Sequence, residues 1–281
     1  MGHPMAHRLV EAGYRLLAFD TNAEAVRRFA ASNECEQAAS LAALAAGSDR
    51  VITMLPDGGI VHEVILGADG VADHLKQGAV IIDMSSSSPV GTRRLGAELA
   101  ARGIPLVDAP VSGGVVRAVD GTLSIMAGGD ADVVQRCRDV LEVFGKVFCT
   151  GASGSGHAMK ALNNYLSAAT LAVSTEAILA GSRFGLDPGV MIEVLNNSTG
   201  RSNSTEHKFP AFILPRKFNS GFALGLMAKD LRLALELAHD TGAPASLLER
   251  CSALWSEAEA ELGFRADNTD IYRYLESRVR D

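Results

Sequence analysis

No two cysteines in this chain are spaced for a zinc site or a redox couple: Cys35, Cys137, Cys149 and Cys251 are scattered, and free cytosolic thiols are the expected state. Positive charge is also scarce. With 26 Lys and Arg against 33 Asp and Glu the net charge is −7, which leaves no basic footprint for nucleic acid or an anionic membrane and no like-charge block that would form a tail. No apolar run is long enough to cross a bilayer and no signal-peptide pattern is found, so the cytoplasm is the expected compartment. His3 and His7 stand at i, i+4, but there is no glutamate between them and no third ligand is evident; no metal site is expected. Repeats are absent, and the only biased tract, Ser85 to Ser88, is explained by a strand-to-helix loop. Small molecules and further copies of the chain remain as expected partners.

What is present is enough apolar material, 47 % of 281 residues, for a core in each of two domains. Up to about residue 150, Val-, Ile- and Leu-rich runs alternate with helical patterns, as a parallel sheet with crossover helices requires. Strands are expected at Arg15 to Phe19, Arg50 to Leu55, Val80 to Met84, Leu106 to Asp108, Leu123 to Ala127 and Val147 to Thr150. Most end in a polar or turn residue, and in an open α/β sheet the ligand crevice lies beyond such ends. After Gly156 only helical patterns follow: Ser155 to Arg183, one begun by Asp187-Pro188, Phe222 to Thr241, Pro244 to Leu262, and a short one near Asp270 to Arg278. The expectation is an α/β protein with a Rossmann-like domain over residues 1–152 and an all-helical domain over 153–281, joined by one long helix.

Dinucleotide-binding sheets begin with a strand, a G-x-G-x-x-G loop and a helix whose N-terminal amides hold the pyrophosphate. Met1-Gly2-His3-Pro4 reads as the last glycine of that fingerprint running straight into its helix. The preceding strand and two glycines are not in the sequence, and the expectation is that the natural protein carries them. Asp20 ends the next strand 18 positions after Gly2, near the spacing at which an acidic residue bonds the adenosine ribose. A carboxylate there repels a 2′-phosphate, and Thr21 and Asn22 bring no cation, so NAD is favoured over NADP.

Three further segments carry candidate chemistry. In Asp108-Ala109-Pro110-Val111-Ser112-Gly113-Gly114 a strand end runs into two glycines whose N–H groups, with the Ser112 hydroxyl, could bind a carboxylate; in isolation it is equally a tight turn. Lys160 and Asn164 share a helical face in an otherwise core-like stretch. Lys229 lies on another apolar helix, where a lysine snorkelling from the core is the plain alternative.

Taken together, these segments resemble the β-hydroxyacid dehydrogenase family, which includes 3-hydroxyisobutyrate dehydrogenase and tartronate semialdehyde reductase. The resemblance covers nearly the whole chain and extends to Met54-Leu55-Pro56, Asp83-Met84-Ser85-Ser86, Ser198 to Ser202 and Lys229-Asp230-Leu231. It implies hydride transfer between NAD(H) and a small 3-hydroxy acid or its semialdehyde. Lys160 is then the catalytic lysine, with Asn164 anchoring the substrate beside it and Asn163 adjoining. Ser112, Gly113 and Gly114 hold the substrate carboxylate, while Met1, Gly2, Asp20, Leu55, Pro56, Ser86 and Lys229 serve the cofactor. A homodimer or homotetramer is implied as well.

That chemistry is reasonable for these residues. Oxidising an alcohol moves a hydride to the nicotinamide while the hydroxyl proton leaves, so one positioned acid/base serves both directions. Burial or a neighbouring cation brings a lysine toward working pH, and Lys229 is the candidate neighbour. Within the family, Asn163-Asn164 and Gly200-Arg201-Ser202 are similar to the hydroxyisobutyrate branch, whereas Thr122 to Met126 is similar to the tartronate branch. Arg117 is read as a solvated arginine that could instead meet a second anionic group. A decarboxylating phosphogluconate enzyme would have histidine at position 163, and an imine reductase would not pair Lys160 with Asn164. A non-catalytic nucleotide-binding module is the alternative from another class.

Overall fold

The computed structural model describes residues 1–279. It divides into two compact units, Met1–Lys160 and Ala161–Asp281.

In the first unit, β1 (Leu16–Ala18) and β2 (Cys35–Gln37) pair in parallel as a separate two-stranded sheet. A six-stranded sheet holds β3 (Arg50–Thr53), β4 (Val80–Asp83), β5 (Leu106–Asp108), β6 (Val111–Ser112), β7 (Leu123–Gly128) and β8 (Gly145–Gly151). Its order is β3-β4-β5-β7-β6 with β8 on β7. The β3-β4-β5 run and the β7-β8 pair are parallel, while β7 runs antiparallel to β5 and β6. Alternate side chains of β4 and β5 separate the core in two. Ile82 and Val107 join Met5, Leu9, Ile125 and Phe144, whereas Ile81 and Leu106 join Val61, Ile65, Leu95 and Leu99. Both faces of the central strands are covered, which is why they read as continuous apolar runs.

The helices of this unit are α1 (Gly2–Glu11), α2 (Ala23–Ser32), α3 (Leu41–Gly47), α4 (Gly58–Leu66), α5 (Pro89–Ala101), α6 (Gly114–Asp120), α7 (Ala131–Arg136) and α8 (Arg138–Glu142). Their starts are written in the sequence. Asn22, Ser40, Asp57, Ser88 and Asp130 each accept an N–H three residues on, and Pro89 takes the first position of α5. Each such cap is worth about 1 kcal/mol.

The second unit is helical. α9 (Ser155–Phe184) enters it from the first, and α10 (Pro188–Asn196), α11 (Leu224–Thr241), α12 (Ser246–Leu262) and α13 (Ile271–Glu276) follow. Leu171, Ile178, Phe209, Leu231, Trp255 and Tyr274 anchor its core. Between α10 and α11 lies a π-helix, Ser204–Ile213, with Pro210 inside it. The helical pattern read from the sequence passes over this segment, because a wider turn departs from the 3.6-residue period and proline interrupts what remains. Among the described residues no helix is long and apolar enough to cross a membrane.

Candidate active site

At the C-terminal ends of β1 and β2, Phe19, Asp20, Ala23, Gln37, Ala38 and Ala39 line a cleft of about 330 Å³. Asp20 is exposed there, and its Oδ1 accepts the Asn22 N–H at 2.7 Å. A carboxylate beside small side chains fits the hydroxyls of an adenosine ribose. Met1 is the N-cap of α1, and a Cβ on Gly2 would touch Met54 Cγ at 3.9 Å, which puts the start of α1 beside the end of β3. Beyond that end, Leu55 N–H donates to Ser85 Oγ at 2.9 Å, tying together the loops that carry Leu55, exposed Pro56 and half-buried Ser86.

Ser112 ends β6, and Gly113 and Gly114 follow with φ of 136° and 70°, in the left-handed region where side chains are strained. At Gly113 a Cβ would also meet Arg117 Cδ at 2.5 Å, since that exposed arginine folds over it. The backbone of both glycines is exposed, leaving this turn open to a ligand.

The start of α9 is held by buried polar groups. Asp108, fully buried, accepts Gly154 N–H at 2.7 Å and His157 N–H at 3.0 Å, as an N-terminal cap does. Burial pushes the Asp108 carboxyl up, opposed by the His157 imidazole and these N–H donors. His157 Nε2 lies 3.1 Å from the Ser85 carbonyl, and Nδ1 lies 2.9 Å from Thr92 Oγ1. A carbonyl only accepts, so Nε2 carries a proton, and Nδ1 shares a hydrogen bond with the Thr92 hydroxyl. Asp83, next to Asp108 in register, accepts Thr53 Oγ1 at 2.9 Å, Ser85 N–H at 3.0 Å and Ser87 Oγ at 3.0 Å. Gly156 completes the fit: a Cβ there would lie 2.2 Å from the Met126 carbonyl oxygen. One turn on, Lys160 is only 8 % exposed.

In the helical unit, Asn164 Nδ2 donates to Asp230 Oδ2 at 2.5 Å while its Oδ1 accepts from Asn163 at 3.1 Å. Lys229 Nζ lies 3.9 Å from Asp230 Oδ1. Asp230 therefore links Asn164 to the neighbourhood of Lys229. The sequence names Asp108 only as part of the glycine segment and Asp83 only as part of Asp83-Met84-Ser85-Ser86, and gives no role to His157 or Thr92. An aspartate ending two consecutive strands was the available signal.

The sheet unit, its strand-end cleft and the buried lysine on α9 fit one class, an NAD(P)-dependent dehydrogenase. Residues 1–154 match the sequence model of the NAD binding domain of 6-phosphogluconate dehydrogenase, and residues 154–275 that described as NAD-binding of NADP-dependent 3-hydroxyisobutyrate dehydrogenase. The chain belongs to the β-hydroxyacid dehydrogenase family and is an oxidoreductase of small hydroxy acids. It is 39 % identical to 2-(hydroxymethyl)glutarate dehydrogenase of Eubacterium barkeri, over 98 % of this chain and 92 % of that one. Identity to the mitochondrial 3-hydroxyisobutyrate dehydrogenase of Mus musculus is 35 %, over 98 % and 84 %. The solved structure of 3-hydroxyisobutyrate dehydrogenase from Mycobacterium tuberculosis with L-serine superposes with a TM-score of 0.91 at 31 % identity, covering 98 % and 95 %.

Proposed function

We propose that this chain uses Lys160 as the general acid/base for NAD-linked interconversion of a small 3-hydroxy acid and its semialdehyde. The observation that carries the reading is a buried lysine one turn from Asn164, on a helix whose first turn is capped by Asp108. The cofactor supplies hydride acceptance and donation when bound. In the oxidation, the neutral Lys160 amine takes the substrate hydroxyl proton as the carbonyl forms; in the reduction, its ammonium returns that proton to the oxygen. Asn164 holds the substrate beside Lys160, with its amide orientation set by Asp230, and Asn163 fixes Asn164 in turn. Ser112, Gly113 and Gly114 bind the carboxylate through the hydroxyl and exposed N–H groups.

Met1 and Gly2 at the start of α1, with Leu55, Pro56, Ser86 and Lys229, bind the cofactor, and Asp20 accepts from its ribose. A carboxylate at Asp20 favours NAD over NADP. The first unit is the cofactor domain; the second carries substrate contacts and subunit contacts in a homodimer or homotetramer. Exposed free Cys149 fits a reducing compartment such as the cytoplasm.

The test is Lys160→Ala, assayed for turnover with NAD and NADP and for NADH binding by fluorescence. Turnover should fall by about 10²–10⁴-fold with NADH affinity unchanged, and the wild type should prefer NAD. Undiminished turnover would remove Lys160 from the mechanism.

A further inference from the structure

Lys208 has no part in the mechanism above. It lies on the π-helix of the second unit, half-buried, and its Nζ donates to Ser167 Oγ on α9 at 3.3 Å. On the same two segments, Thr170 Oγ1 and the fully buried Ser204 Oγ face each other at 3.5 Å, and Phe209, Ala168 and Leu171 belong to the core of this unit. Among the described residues no carboxylate comes within ion-pair distance of Lys208. Asp267, the charge that acts on it from a distance, is already taken by Ser220, Gly221 and Thr269. Burial pushes the Lys208 ammonium down to about 8. A methionine, one heavy atom shorter, would fill most of that space without the cost of burying a charge, so packing alone gives no reason for the ammonium.

Ser167 places this cation. Residues 160, 164 and 167 stand at i, i+4 and i+7 on α9 and therefore share one face. The axial distance from Lys160 to Ser167 is about 10 Å. A five-carbon skeleton of about 5 Å, with a hydrogen bond of about 3 Å at each end, covers it.

We propose that Lys208 and Ser167 form an anion subsite for a second carboxylate on the substrate, making hydroxy diacids of about five carbons in the main chain the favoured class. The inference deepens the reading of Lys160 as the acid/base and takes its distance from it. Oxygen atoms of the distal carboxylate accept from the Lys208 ammonium and the Ser167 hydroxyl, while the reacting hydroxyl lies at Lys160.

Two measurements separate the subsite from the reaction. In the first, glutarate, a diacid without the reacting hydroxyl, is titrated calorimetrically into the full chain with NADH present, with butyrate as the monoacid control. Glutarate should bind the wild type more tightly than butyrate, and Lys208→Met should weaken it by about tenfold to a hundredfold, with Lys208→Arg recovering part of the loss. Equal glutarate affinity in wild type and Lys208→Met, or no preference over butyrate, overturns the subsite. In the second, kcat/KM is compared for 2-(hydroxymethyl)glutarate and 3-hydroxyisobutyrate. Lys208→Met should lose the diacid through KM and leave the monoacid nearly unchanged; equal loss on both marks a structural role and overturns the proposal. Glutarate binding through Lys208 without turnover of either hydroxy acid would uphold the subsite and sink the reading of Lys160.

Discussion

In the sheet unit Asp83 accepts three hydrogen bonds and Asp108 two from N–H groups at the start of α9, with the His157 ring satisfied at both nitrogens. In the helical unit Asp230, equally buried, has an Oδ1 with no hydrogen-bond donor among the described residues, and Lys208 meets only a serine hydroxyl. Buried polar groups are normally satisfied, so the first arrangement is what a holding device needs and the second is what a binding surface needs. A site kept partly unsatisfied gives up stability in exchange for an available partner.

The contrast breaks first at Asp108. Asp108→Ala orphans two buried N–H groups and uncaps α9, so its denaturant unfolding curve should show a loss of about 3 kcal/mol, with turnover falling as Lys160 loses its support. Equal stability of wild type and variant would mean that the cap holds nothing. Asp230→Asn should do the reverse. Its amide oxygen can still accept from Asn164 and its new N–H needs no ionised partner, so stability should move by less than about 1 kcal/mol. Diacid and monoacid turnover should both drop about tenfold, because the charge beside Lys229 is gone; an Asp230→Asn enzyme with wild-type kinetics would place this carboxylate outside the site.

The smallest effect is in pH. Lys208 is an ammonium below about 8 and loses its proton above it, so KM for a diacid should rise as pH passes through 8 while KM for a monoacid does not follow. The charge that acts on it is Asp267 before α13, and the exposed Glu206 and His207 precede it on its own segment. A rise of equal size with 3-hydroxyisobutyrate would assign the titration to another group. Lys208→Met should flatten the diacid profile.

Much of this architecture was legible in the sequence, for specific reasons. Val80 to Met84 and Leu123 to Ala127 read as strands because both faces are covered, and the strands found are Val80–Asp83 and Leu123–Gly128; α5 and α10 announce themselves by Ser88-Pro89 and Asp187-Pro188. The polar, largely exposed Cys35–Gln37 gives no alternation and β6 is too short, so neither strand was found. Lys160 and Asn164 could be paired because helical spacing is a local property. Thr92 and Ser85 meet His157 across 65 and 72 residues, which no local pattern encodes. Lys208 was invisible for a related reason: His207-Lys208-Phe209-Pro210 has no periodicity to set its lysine apart from a surface one.

The cleft containing Asp20 is built from the ends of β1 and β2 and the residues that follow them, so it exists only while those two strands are paired. On the reading of Asp20 as the ribose partner, a dinucleotide binds the paired form alone, and saturation with cofactor then suppresses any opening of this strand pair by mass action.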